Sequence, residues 1–198
     1  MKNQNLKRAR ELAGYFNQKL KEDGIVPAVK RTGAFVKRRF FGKKGRFLPT
    51  KKALAAQRAA DTHDWPVISV CVPLYNTPKL YFDQLLASVQ GQTCPRWQLC
   101  LADASDEAHA EVGQWARQAA EKDSRIRYKK IENKGISANT NQAAELADGE
   151  YLALADHDDL LAPHAIYWAS RTAKETGAGF LYSDEALSSR DIRRPMAG

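Results

Sequence analysis

From Val67 onward the chain alternates between two hydrophobic rhythms. Short apolar runs read as strands: VISVCVP at 67–73, WQLCLAD at 97–103, RIRYKKI at 125–131, YLALA at 151–155 and GFLYS at 179–183. The first is a near-continuous β-branched run, the pattern of a strand buried on both faces. Between the runs the apolar spacing turns helical. Helices are predicted over 79–90, with Leu85, Leu86 and Val89 on one side, and over 107–122, 137–147 and 163–176. Ser137, following Gly135, is the expected N-cap of the third of these. Strands alternating with helices of this length predict an α/β fold, a mainly parallel sheet with helices on both faces.

The first third of the chain follows another pattern. Leu6, Ala9, Leu12, Ala13, Phe16 and Leu20 recur at helical spacing with Lys and Arg between them, so an amphipathic helix is expected over 3–22. A segment punctuated by Gly and Pro follows, in which Phe35, Phe40, Phe41 and Phe47 interleave with seven Lys and Arg residues from Arg31 to Arg46. A second short helix is expected over 51–60. DTHDWP at 61–66 reads as a linker, because Pro66 disfavours helix in the residue before it. The expected division is a basic, mostly helical extension and linker over 1–64 and the α/β domain over 65–198.

Charge sharpens that division. The net charge of the 198 residues is +8. Residues 1–60 hold 17 Lys and Arg against Glu11, Glu22 and Asp23, a local +14, which leaves the remainder at −6. Lys, Arg and Phe in alternation suit the surface of an anionic membrane. The same composition suits a nucleic-acid backbone, the less favoured partner, or a solvated basic face packed on the domain. No apolar run reaches the roughly 20 residues that span a bilayer, and MKNQNLKRARELAG has no apolar core of a secretory signal. Cys71, Cys94 and Cys100 are odd in number and lack metal-ligand spacing. A cytoplasmic protein is expected, peripheral at the inner face of the membrane if the basic extension touches it.

In sheets of this kind ligands bind beyond the carboxyl ends of the strands. There the chain places Pro73-Leu74-Tyr75-Asn76, Asp103-Ala104-Ser105-Asp106, Asn133-Lys134-Gly135, Asp156-His157-Asp158-Asp159 and Ser183-Asp184-Glu185. Each strand body is apolar and each end polar. Asp156 and Asp158, one residue apart on a turn, can both face one divalent cation; their hard oxygens suit Mg²⁺ or Mn²⁺. Neither GxGxxG nor GxxxxGK[ST] occurs, so phosphate binding through a metal bridge is the consistent reading.

VISVCVPLYNTP, LCLADASDE, ENKGISANTNQA and EYLALADHDDLLAPHA, in this order and spacing, resemble family 2 glycosyltransferases, over about residues 66–187. YNTP, DHDDLLAPHA and LYSDEA together resemble the bacterial branch that builds surface polysaccharides, with its rhamnosyltransferase-like members. The resemblance implies a GT-A fold and inverting transfer of a sugar from a nucleotide-diphosphate donor to a glycan or lipid-linked glycan acceptor. It implies that Pro73 and Tyr75 pack against the base and that Asp103 hydrogen-bonds a uracil- or thymine-type ring. It further implies that Asn133 and Asn141 line the nucleoside pocket, that Asp156 lies by the ribose and Asp158 on the metal, and that Asp184 and Glu185 begin the contact with sugar or acceptor. Ala102-Asp103-Ala104 departs from the two adjacent acids followed by Gly that many members carry.

Inverting transfer needs a general base to deprotonate the acceptor hydroxyl. By the resemblance that base is expected beyond Gly198, which leaves an alternative expectation: a nucleotide-sugar-binding fragment without turnover. A metal-dependent nucleotidyltransferase, the other acid-edged α/β candidate, would want a Gly-rich signature with Arg and Lys that VPLYNTP does not supply.

Overall fold

The computed structural model describes residues 49–183. The expected helix over 3–22 and the basic aromatic segment lie outside the described residues, apart from Pro49. Helix α1 (Lys51–Arg58) opens the described chain, with the Thr50 hydroxyl accepting the Ala53 N–H at its N-terminus. From Pro49 the chain belongs to one compact unit. Gln57 of α1 is buried, and its side-chain oxygen accepts the Thr93 hydroxyl at 2.9 Å.

The elements that follow are β1 (Ile68–Leu74), α2 (Lys79–Gln90), β2 (Trp97–Asp103), α3 (Ala110–Lys122), β3 (Ile126–Lys130), α4 (Ile136–Ala144), β4 (Tyr151–Leu154) and α5 (Ala165–Thr176). Among the described residues four strands form one sheet in the order β3-β2-β1-β4, every pairing parallel. The expected α/β class and parallel sheet are therefore what the chain adopts.

Two layers cover the sheet. On one face Val70, Val72 and Leu74 of β1 and Leu99 and Leu101 of β2 pack with Phe82, Leu85 and Val89 of α2, with Val112 and Ala116 of α3, and with Ile166 of α5. On the other face Cys71, Cys100 and Ala102 pack against Ala143 of α4. Every residue of β2 is buried, as are all of β1 except Pro73, in keeping with their unbroken apolar sequence.

Three expectations are corrected. GFLYS at 179–183 is not a strand. The residue before it, Ala178, accepts the Tyr151 hydroxyl of β4 through its carbonyl, while Phe180 and Tyr182 stand 82% and 91% exposed. A strand-like sequence becomes a strand only where a ladder accepts it, and among the described residues none does. Helix 107–122 begins as a 3₁₀ turn over Glu107–His109 before α3 proper. The N-cap of α4 is Gly135 at φ 89°, and Ser137 lies inside the first turn. Glycine takes that left-handed turn without the steric cost a side chain would bring.

Candidate functional site

The carboxyl edge of the sheet is assembled by register. Leu74, Asp103 and Lys130 stand in one row across β1, β2 and β3. Cys71 of β1 pairs with Leu154, the last residue of β4, so the acidic turn at 156–159 continues β4 toward the level of that row. The ladder persists past the strand ends, with Ala104 N–H on Leu74 O, Ile131 N–H on Asp103 O and Ala155 N–H on Cys71 O.

Asp103 shares its face of β2 with Trp97, Leu99 and Leu101, which points its carboxylate under α3. It is 0% exposed. Its Oδ1 accepts the Ser105 N–H at 2.9 Å; its Oδ2 accepts the Tyr128 hydroxyl at 3.2 Å and the Lys130 ammonium at 3.1 Å. Lys130 Nζ also donates to the Ser105 carbonyl at 2.5 Å. Burial, then the adjacent Asp103 charge, pushes the Tyr128 phenol up to about 12. The Asp103 carboxylate thus faces three protein donors rather than solvent.

Beside it, the loops after β1 and β2 are laced together. Asn76, at φ 47° and so in the left-handed region that Asn tolerates, donates its side-chain amide to Asp106 and accepts the Asp106 N–H. Its own N–H goes to the Ser105 hydroxyl. Hydrogen bonds from His109 and Asn76 hold the Asp106 carboxyl below the usual carboxylate range. Pro73 is partly buried and Tyr75 is exposed at this edge.

After β3, Asn133 is exposed and works as a brace. Its Oδ1 accepts the Gly135 N–H and the Asn139 side-chain amide, while Asn139 Oδ1 accepts the Lys134 N–H. Asn141 is exposed on α4. Asn139, buried and two residues earlier on α4, was not among the expected residues; the recurrence of Asn six residues after Asn133 was the available signal.

At the end of β4 the Asp159 carboxylate turns back to accept the Asp156 N–H at 3.1 Å. Asp156 and Asp158 are exposed, and no side-chain hydrogen bond or ion pair is recorded for either among the described residues. Among those residues no group of three or more His, Cys, Asp or Glu could hold a metal ion. Two unspent carboxylates fit a Mg²⁺- or Mn²⁺-type ion that takes its remaining ligands from water and phosphate. Asp184 and Glu185 lie outside the described residues.

The profile of the family described as glycosyl transferase family 2 matches residues 69–183. The chain is 39% identical over 122 residues to the uncharacterized protein y4gI of Sinorhizobium fredii, covering 61% of this chain and 13% of that one. It is 29% identical over 140 residues to the O-antigen biosynthesis protein RfbC of Myxococcus xanthus, covering 69% of this chain and 11% of the relative. The chain therefore spans little more than a tenth of either relative's length. Among solved structures, S. aureus TarS in complex with UDP-GlcNAc is 22% identical, with a TM-score of 0.48 over 56% of this chain and 32% of that one.

Proposed function

The chain belongs to glycosyl transferase family 2, and on that premise we propose that its strand-end edge holds a nucleotide-diphosphate sugar whose sugar passes, with inversion, to a surface glycan or lipid-linked glycan. The observation that carries the reading is the pair of unspent carboxylates, Asp156 and Asp158, at the carboxyl end of β4. They sit on the same edge of the sheet as the polar clusters after β1, β2 and β3. Three inter-strand spacings put the β3 end roughly 14 Å from the β4 end. An extended nucleoside diphosphate bridges such a gap from base to terminal phosphate.

In this arrangement Pro73 and Tyr75 pack the base, and the Asp103 cluster reads its polar edge. Asn133 and Asn141 line the nucleoside, with Asn139 bracing their loop. Asp156 would face the ribose, and Asp158, with Asp156 beside it, would hold the divalent ion. When bound, that ion would neutralise charge on the leaving diphosphate. Asp184 and Glu185 follow in sequence toward the sugar and acceptor. RfbC is named for O-antigen biosynthesis, which supports a surface polysaccharide as the acceptor.

Calorimetry on the full chain with UDP and dTDP, with and without MnCl₂, tests the donor half. Binding is expected only with the metal and is expected to vanish in Asp158→Ala. Absence of metal-dependent binding for both nucleotides overturns the reading. Donor binding without transfer to any glycan acceptor would instead make the chain a donor-binding module.

A further inference from the structure

The Asp103 cluster presents its one movable, solvent-facing donor through Lys130, and we infer that Lys130 is the residue that contacts the base of the donor and sets base preference. The inference rests on the donor reading above. A carboxylate offers about four lone-pair positions, and Ser105 N–H, Tyr128 OH and Lys130 Nζ take three of those of Asp103. The fourth has no route to solvent, because Asp103 is 0% exposed. Gly113 of α3 closes the site from above; even a methyl there would lie 2.9 Å from Asp103 Oδ2. A ligand arriving at the ends of β2 and β3 therefore does not meet the carboxylate.

It meets the ammonium. The Lys130 side chain is 48% exposed. An ammonium has three donors; Asp103 and the Ser105 carbonyl fix two, and the third is directed away from them. Two anchors turn a flexible side chain into an oriented donor that needs an oxygen acceptor. Two parts of the proposed ligand carry one: a ring carbonyl of the base, and the diphosphate. Strand order separates them. Lys130 ends β3 and the acidic turn follows β4, with β2 and β1 between. One diphosphate cannot touch both, so with the phosphates at Asp156 and Asp158 the base carbonyl falls to Lys130. Uracil and thymine have such a carbonyl, and adenine has none, so selection against adenine follows.

The test compares UDP, ADP and inorganic pyrophosphate, each with Mn²⁺, on the full chain and its variants. Wild type is expected to prefer UDP over ADP. Lys130→Met is expected to weaken UDP about tenfold or more, the size of a lost charged hydrogen bond, and to erase the preference, with pyrophosphate unchanged. Lys130→Arg is expected to retain part of the preference. Because Lys130→Met leaves a buried carboxylate unpaired, the double variant Asp103→Asn, Lys130→Met serves as the second arm. It removes both charges, and the preference is expected to stay lost in a chain that melts like wild type. An unchanged UDP-to-ADP ratio in the folded variants overturns the role of Lys130 while leaving the donor reading standing. An equal loss for pyrophosphate overturns the assignment to the base. A wild-type chain that binds none of the three overturns the donor reading and this inference with it.

Discussion

A methyl group at Gly113 would stand 2.6 Å from the Tyr128 hydroxyl and 2.9 Å from Asp103 Oδ2. Two effects oppose each other there. Alanine in a helix interior gains about 1 kcal/mol over glycine in propensity. Overpacking a filled site costs about 1–3 kcal/mol, and here the crowded atoms are polar groups with fixed partners. The clash wins, because neither oxygen can retreat without losing a bond to the other. Gly113→Ala is expected to destabilise the fold by about 1–2 kcal/mol net in denaturant melts, an effect that disappears if the Tyr128 ring moves freely. The same residues mark the limit of what the sequence discloses. Asp103 was legible as a polar strand end, and its parity with Leu99 and Leu101 assigns it a face. That its carboxylate is roofed by α3 and shared by Tyr128 and Lys130 depends on packing between elements that no local pattern encodes.

At the scale of elements, β1 and β2 lie where the unbroken apolar runs place them, because a strand buried on both faces needs such a sequence, while β3 and β4 follow from shorter runs that bury one face. The failures came where local sequence needed a partner. GFLYS has strand composition but no ladder, and the start of α4 was decided by the left-handed turn at Gly135 rather than by the nearest serine. Strand β4, at the edge of the sheet among the described residues, shows the same dependence in its side chains. Tyr151 and Ala153 pack toward the core, while Leu152 and Leu154 stand 54% and 69% exposed on the other face. An uncharged apolar edge is a template for association. Replacing both leucines by Thr, which keeps strand propensity, is expected to alter stability by less than about 1 kcal/mol. It is also expected to lower the concentration-dependent light scattering. A marked loss of melting temperature would show that the two leucines are covered in solution.

Across the whole molecule, charge is divided as sharply as hydrophobicity. The +14 of residues 1–60 and the −6 of the rest give the chain two electrostatic characters in one sequence. A membrane contact through the basic residues would draw on about 1 kcal/mol per Lys or Arg near an anionic surface. Among the described residues no helix is long and apolar enough to cross a membrane. The full chain is expected to sediment with phosphatidylglycerol vesicles at low ionic strength and not with phosphatidylcholine vesicles. Raising salt to about 1 M, where the screening length falls to about 3 Å, is expected to release it. Equal sedimentation with both lipids would remove charge as the cause.

The parallel pairing of β4 with β1 also has a kinetic side. Ile68 meets Trp97 after 29 residues, and Leu99 meets Ile126 after 27, but Ile68 meets Tyr151 only after 83. Closing the longer loop costs about 1 kcal/mol more chain entropy than closing the shorter ones. Strands β1 to β3, which include Asp103 and Lys130, are therefore expected to pair before the strand that leads to Asp156 and Asp158, an order that pulse-labelled hydrogen exchange during refolding would check. Loop length alone thus favours completing the Asp103 side of the proposed donor edge before its acidic turn.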